Sequence, residues 1–288
     1  MAQIKLRGDK CDDLVTALKA SEFYRFYKQH KHELILCVRH NEIHIYYACD
    51  RIAKIKCVNN KLTFKINEYY MKGKGYDNEK LYTESDIIKN YDNIKKNSER
   101  KNKREKQAQQ QLFINNNSNP KSNWFCVDVE YVKAYASQTD KDDDEGGCGR
   151  FDIIAISKSK PTIACYELKY GKVAFGGNSG LKKHIDDFST FKLKGYCKSQ
   201  LNIEVAKIIN VLQKLGEPIP NELQNITSDD IQAEPKFFFA VLDCKARTKK
   251  YIETTPYGEL AVQFLFSADK LPRIEIKDII DDKKWVAL

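Results

Sequence analysis

The chain lacks several features that would place it in a large functional class. No run of about 18 apolar residues occurs among its 288 residues, so the sequence predicts no transmembrane helix. The opening segment MAQIKLRGDK has no apolar core of the kind found in a secretory signal. No GxxxxGK[ST] motif is present, so we expect no ATP-driven step from this chain, and no internal repeat is evident.

Cysteine and histidine also lack the spacings of a structural metal site. The nine cysteines are scattered singly without a CxxC pair, which argues against a cysteine zinc site. Their odd number and the missing signal favour free thiols in a reducing cytoplasm. No metal-binding spacing joins the four histidines of the N-terminal region: His30, His32, His40 and His44.

Positive charge is present in excess, and it is concentrated in one part of the chain. Residues 1–119 hold 24 Lys and Arg against 15 Asp and Glu, whereas residues 120–288 hold 25 of each. A concentrated excess favours a polyanionic partner such as DNA or RNA, because phosphates attract Lys and Arg. The alternative interpretation is a charged surface that serves solubility alone.

Residues 1–82 form the first predicted domain. Apolar residues at helical spacing predict a helix over 10–30, and four alternating or apolar runs between 33 and 70 predict strands. Asn59-Asn60 is a tight-turn signal between the last two runs, and His40-Asn41 serves the first pair. We therefore expect a small helix-plus-antiparallel-sheet domain. Nucleic-acid binding, a protein partner and a dimer interface all remain open as its role.

Residues 83–119 form a basic helical linker that also includes the first helix of the next domain. One interpretation is a solvated or partly disordered surface segment, and the other is a helix that lies along a phosphate backbone. On the second interpretation the candidate nucleic-acid contacts here are Lys101, Lys103 and Arg104. Further along the chain, Lys182 and Lys183 begin a predicted helix and are candidates of the same kind.

The remaining residues, 120–288, form the second predicted domain, and acidic residues mark its strands. In the first strand, WFCVDVEYV, alternation puts Asp128 and Glu130 on one face. Two acids on an otherwise apolar strand are costly if they are buried without a partner or a cation. Either this face lies on an exposed edge, or one of the two acids joins a metal site, for which Glu130 is the better candidate.

The stretch GRFDIIAISKSKPTIACYELKYG contains two further β-runs separated by a polar turn. Asp152 opens the first run, and Glu167 and Lys169 end the second on one shared face. If the runs pair as a hairpin, these three charged groups meet at one end of the sheet. The bland interpretation is a cross-strand ion pair on a half-solvated sheet, which contributes only about 0–1 kcal/mol.

This pattern resembles the PD-(D/E)xK nuclease superfamily, here as Phe151-Asp152, fourteen residues, and Glu167-Leu168-Lys169. The resemblance covers roughly residues 100–245 and lacks the leading Pro. It implies an α/β fold with a restriction-endonuclease-like αβββαβ core and a mixed sheet, in addition to the small N-terminal α+β domain.

The resemblance also implies a function and a set of site residues. It implies a nuclease that depends on Mg²⁺ or Mn²⁺, hydrolyses phosphodiester bonds, favours DNA over RNA, and acts in defence, restriction or repair. The implied metal ligands are Asp152, Glu167, the main-chain carbonyl of Leu168, Glu130 and Asp128, with Lys169 acting on the attacking water. By its order along the chain, Glu105 corresponds to the glutamate that the first core helix often carries.

Two other function classes stay open beside the nuclease. The same fold can bind nucleic acid without cutting it, or the chain can be an interaction module that acts through its N-terminal domain. A homodimer is compatible with a nuclease, because cutting both strands of a duplex needs two sites. The sequence does not distinguish single from double strands, or internal from terminal cleavage.

Overall fold

The computed structural model describes residues 4–48, 50–142, 147–171, 180–253, 262–266 and 286–287. The chain is a mixed α/β protein with one five-stranded and one six-stranded sheet. The acidic residues Asp143, Asp144 and Glu145 and the aromatic Trp285 lie outside the described residues. Across the described residues, no helix combines the length and the apolar character needed to cross a membrane.

The N-terminal part consists of helices flanking an antiparallel sheet in the order β1-β2-β3-β4-β5. Its elements are α1 (Asp12–Ala20), α2 (Glu22–His30), β1 (Ile35–Arg39), β2 (Glu42–Tyr47), β3 (Asp50–Val58), β4 (Lys61–Asn67), α3 (Glu68–Lys72), β5 (Glu79–Tyr82), α4 (Glu84–Lys89) and α5 (Tyr91–Glu99).

The four predicted strands are present, and both predicted turns use left-handed backbone. Asn59 and Asn60 have φ of 50° and 60°, and Asn41 has φ of 51°, as tight hairpins require. One expectation was wrong, and one strand was not predicted. The helix over 10–30 is broken at Ser21, whose extended backbone lets its hydroxyl accept from the Tyr24 amide as an N-cap. The strand that was not predicted, β5, lies at the edge of the sheet beside β4.

The C-terminal part is built on the six-stranded sheet, in the order β11-β10-β9-β8-β7-β6. Its elements are α6 (Arg104–Ser118), β6 (Trp124–Val132), α7 (Gln138–Asp142), β7 (Arg150–Ser157), β8 (Ile163–Tyr170), α8 (Leu181–Leu193), α9 (Asn202–Leu215), β9 (Lys236–Leu242), α10 (Ala246–Glu253), β10 (Val262–Phe266) and β11 (Val286–Ala287).

The six-stranded sheet is mixed, as predicted. Strands β6, β7 and β8 are antiparallel neighbours, whereas β9 runs parallel to β8 and β10 parallel to β9. Helix α6 packs on one face through Ala108 and Leu112, and α8 and α9 pack on the other through residues such as Phe188 and Ile209. Because both faces are covered, the central strands are almost continuously apolar.

The two sheets share a core and a buried ionic junction. Arg7 contacts Asp128 on β6 (Nε to Oδ2, 3.2 Å) and Glu204 on α9 (Nη1 to Oε1, 3.5 Å). Arg39, at the end of β1, donates from Nη1 to Asp128 Oδ1 at 2.6 Å. Tyr131 donates to Glu204 Oε2 at 2.6 Å. The N-terminal part is thus fixed to the sheet that carries the candidate site.

Candidate functional site

Strand β8 contains the Glu167-Leu168-Lys169 motif, and it presents the two charged residues to one face of the sheet, as the alternation of the strand predicts. On β8, Glu167 and Lys169 are both buried and point toward α8, whereas Tyr166 and Leu168 belong to the cluster under α6. Strand β7 pairs antiparallel with β8, with Ile153 opposite Tyr166. Continuing this register by one residue brings Asp152 opposite Glu167, so the predicted hairpin is confirmed.

At Asp152, a side-chain hydrogen bond joins β7 to β8 in place of the main-chain pairing that begins at Ile153. Its carboxylate Oδ2 accepts a hydrogen bond from the Leu168 amide at 2.7 Å, so a side chain takes the role of a main-chain partner. On its other side, the main-chain carbonyl of Asp152 accepts from Gln109 Nε2 of α6. The regular main-chain pairing of the two strands therefore ends next to Asp152. The Leu168 amide still fixes the Asp152 side chain, and Gln109 still fixes its main chain.

A glycine lets the chain enter β7 just before Asp152. Gly149 has φ of 70°, and its carbonyl accepts from the Lys133 amide at 2.9 Å. A Cβ at this position would lie 2.4 Å from a ring carbon of Phe191 on α8. Only glycine suits both the left-handed backbone and this close approach, and the turn sets where β7 starts.

Glu167, Lys169 and His184 form a compact triangle of polar side chains. Lys169 Nζ lies 2.6 Å from Glu167 Oε1, and His184 Nε2 lies 3.0 Å from the same oxygen. The two nitrogens are 3.4 Å apart. His184 sits in the first turn of α8, and its ring lies 6.4 Å from Phe188 and 6.3 Å from Phe239, centroid to centroid. Packing therefore fixes the imidazole against Glu167.

His184 was not among the site residues predicted from the sequence. No local pattern marks it, because its contact with Glu167 depends on how α8 packs across the sheet. The only signal was its position near the start of the helix that follows the motif strand.

The two motif carboxylates have opposite pKa shifts. Loss of solvation, followed by the nearby negative charge of Glu167, raises the pKa of Asp152 well above its usual value. Burial acts in the same direction on Glu167, but the hydrogen bond from His184 and the charge of Lys169 outweigh it and lower the pKa of Glu167. Two acids this close cannot both be ionised cheaply unless a cation joins them.

Two further predicted acids lie around this pair. Glu105, near the start of α6, is within electrostatic reach of Glu167 and Lys169; partial desolvation, opposed by Lys169 and aided by Glu167, raises its pKa. Glu130 forms an ion pair with Lys106 of α6, and the charges of both act on Asp152. The structure thus gathers Glu105 and Glu130 around the motif residues.

Asp128 does not join this group, although it shares an alternating face with Glu130 in the sequence. A β-bulge between Cys126 and Asp128, together with a φ of 54° at Glu130, breaks the alternation of β6. Both carboxylate oxygens of Asp128 are taken by the guanidinium groups of Arg7 and Arg39, and its side chain is 1% exposed. Asp128 is therefore part of the junction between the two sheets, and the expectation that it binds metal is corrected.

Of the five Lys and Arg residues predicted to contact nucleic acid, three form ion pairs within the protein and two are exposed. Lys101 and Lys103 reach Asp50 at the start of β3, at 3.5 and 3.2 Å. Lys183 pairs with Asp187 one turn along α8 at 2.6 Å. Arg104 and Lys182 are exposed. Helices α5 and α6 occupy most of this region, and residues 100–103 connect them outside any helix.

The donor set suits a hard divalent cation in its chemistry. Asp152 and Glu167 offer carboxylate oxygens, which Mg²⁺ and Mn²⁺ prefer. The pKa of Asp152 is raised first by loss of solvation and then by the charge of Glu167, and a bound cation would favour the ionised carboxylate against both effects. Among the residues that the structure describes, no group of three or more His, Cys, Asp or Glu is arranged to hold a metal ion. A ligand role for the Leu168 carbonyl stays a prediction.

Comparisons with models of known protein families, with curated proteins and with solved structures found no match to this chain. The site's own residues therefore carry the functional reasoning.

Proposed function

We propose that this protein is a metal-dependent nuclease of the PD-(D/E)xK type that hydrolyses phosphodiester bonds, with DNA favoured over RNA. The observation that carries the proposal is the register of β7 and β8, which sets Asp152 opposite Glu167, with Lys169 Nζ 2.6 Å from Glu167 Oε1. The order of the elements also supports it: with the additional helices α7 and α9 set aside, α6-β6-β7-β8-α8-β9 matches the αβββαβ order that the resemblance implies.

Asp152, Glu167 and, from β6, Glu130 would hold Mg²⁺ or Mn²⁺. When bound, the cation supplies charge to offset the phosphoryl oxygens and to activate a water. The chain's own part follows from its contacts. The Leu168 amide orients the Asp152 carboxylate, and His184 orients the Glu167 carboxylate. The ammonium of Lys169 would donate to the attacking water or to a phosphoryl oxygen and offset the charge that develops there.

The test is cleavage of supercoiled, linear and single-stranded DNA, and of RNA, with and without Mg²⁺ and Mn²⁺. We expect metal-dependent cleavage by wild type, and a loss of at least about 100-fold in Asp152→Asn and in Lys169→Met. Asp229→Asn and Lys160→Met, at exposed positions away from the site, serve as matched controls and keep wild-type rates. Metal-independent cleavage, or full activity in the Asp152 and Lys169 variants, would refute the proposal.

A second candidate is a nuclease-like fold that binds nucleic acid or a protein partner without cutting. One observation favours it: Glu167 Oε1 already has partners in Lys169 and His184. On this alternative Glu167, Lys169 and His184 only stabilise the fold, and no metal ion binds. Nucleic-acid binding without cleavage, together with absent Mn²⁺ binding, would select this second function.

A further inference from the structure

The N-terminal sheet has one apolar face and one basic face. Residues such as Ile55 and Phe64 belong to the core on one side. The opposite side, over β2 to β5, carries five bases and only two acids: Arg51, Lys54, Lys56, Lys61, Lys65, Glu42 and Glu79. These seven residues together have a net charge of +3. Toward β1 the same side of the sheet is covered, because Ile35, Cys37 and Tyr46 are buried in the second core cluster.

Like charges face each other across this sheet. Lys54 lies directly opposite Lys65 on β4, an arrangement that destabilises a strand pair. A single carboxylate, Glu79, serves three cations: Lys54 at 2.9 Å, Lys65 at 3.1 Å and Arg51 at 3.1 Å. The remaining positive potential would be relieved by an anion bound from outside.

The bases of this face are accessible. The side chains of Lys56 and Lys65 are each 49% exposed, and that of Arg51 is 41% exposed. The aromatic residue of β2 on this side, Tyr46, is only 5% exposed, and the described part of the face offers no open ring for base stacking. Binding to single strands typically uses such rings, whereas phosphate contacts need only accessible cations.

A short segment links the basic face to the candidate site. Asp50, which opens β3, holds Lys101 and Lys103. Glu105 follows two residues later and lies within electrostatic reach of Glu167 and Lys169. Two ammonium groups share this one carboxylate, so a net charge of +1 is left between the start of β3 and the candidate site.

Building on the nuclease function proposed above, we propose that this basic face binds the phosphate backbone of duplex nucleic acid and holds it for cleavage. Duplex DNA presents about one charge per 1.7 Å of helix axis, twice the density of one of its strands. Contacts of this kind carry no base information, so binding is independent of sequence.

The experiment measures binding of a labelled duplex, and of its single strand, by fluorescence anisotropy in EDTA at several salt concentrations. The test variant is Lys56→Gln/Lys61→Gln/Lys65→Gln. The matched control is Lys160→Gln/Lys198→Gln/Lys236→Gln, which removes the same charge from exposed sites, two of them at the far end of the six-stranded sheet. Thermal unfolding checks both folds, and Lys61→Glu alone repeats the test with a single exposed change.

We expect the test variant to bind duplex at least about tenfold more weakly than wild type. The slope of the logarithm of the binding constant against the logarithm of salt concentration should become shallower by up to about 3. The control should stay within about twofold of wild type. Equal losses in both triple variants, or tighter binding of the single strand, would overturn the inference. Binding in EDTA is independent of cleavage, so inactivity with Mg²⁺ would refute the nuclease while leaving this result interpretable.

Discussion

Arg39 and Asp128, 89 residues apart in the chain, form a 2.6 Å contact that joins the two sheets. Arg39 also donates to the main-chain carbonyl of Val129 at 2.9 Å, so it holds the bulged part of β6 through two groups. The next residue is Glu130, whose charge acts on Asp152. The N-terminal part is thus in direct contact with a strand of the candidate site.

Asp128→Ala tests this junction. The change removes the carboxylate that two largely buried guanidinium groups share, which we expect to lower the free energy of unfolding by about 3–5 kcal/mol. Urea denaturation measures it. Asp12→Ala removes a surface pair, with Asp12 81% exposed and Lys214 57% exposed, and should cost about 0–1 kcal/mol. Similar losses in both variants would mean that the junction is not stabilising.

His44 predicts a pH dependence of stability. Burial lowers its pKa from 6.5 to about 4, while its hydrogen bond to Glu42 opposes the shift. Between pH 6.5 and 4, His44 binds a proton in the unfolded chain but not in the native protein. The free energy of unfolding should therefore fall as the pH drops from about 6.5 to 4.

The measurement is the free energy of unfolding at pH 7 and pH 4.5, for wild type and His44→Gln. The variant lacks this proton uptake and should lose about 1–3 kcal/mol less than wild type over that interval. His32→Gln, an exposed histidine, should follow wild type. If the His44 variant has an unchanged pH profile, the native pKa of His44 is not depressed.

His184 is predicted to position Glu167. Removing a side chain that orients a metal ligand typically costs about 10–100-fold in metal affinity or activity, so we expect such a loss in Mn²⁺ affinity for His184→Ala. His184→Asn restores a donor and should recover part of it. Calorimetric titration gives the affinity, with His32→Ala as control. Equal Mn²⁺ affinity in wild type and His184→Ala would rule out the positioning role.

Alternation along a strand predicted much of the candidate site. Successive side chains of a strand point to opposite faces of the sheet. Tyr166 and Leu168 therefore lie under α6, whereas Glu167 and Lys169 face α8. The same rule failed at Asp128, where a bulge and a left-handed residue on β6 change the register. Backbone irregularities of this kind have no reliable signature in side-chain alternation.

The remaining omissions are long-range contacts. His184 meets Glu167 only after α8 has packed on the sheet, and Arg7 meets Glu204 across 197 residues. Charge counts suggested that Lys101 and Lys103 were free for nucleic acid, whereas Asp50 of β3 binds both. Partners that are distant in sequence decide these outcomes, and composition or periodicity does not identify them.

The most direct measurement of the central claim is Mn²⁺ binding by calorimetry to wild type, Asp152→Asn and Glu167→Gln. Asp229→Asn and Glu222→Gln make the same chemical changes at exposed positions and serve as controls. We predict binding to wild type and both controls, and its loss in the two site variants. Absent binding to wild type, or undiminished binding in both site variants, would contradict the metal site at Asp152 and Glu167.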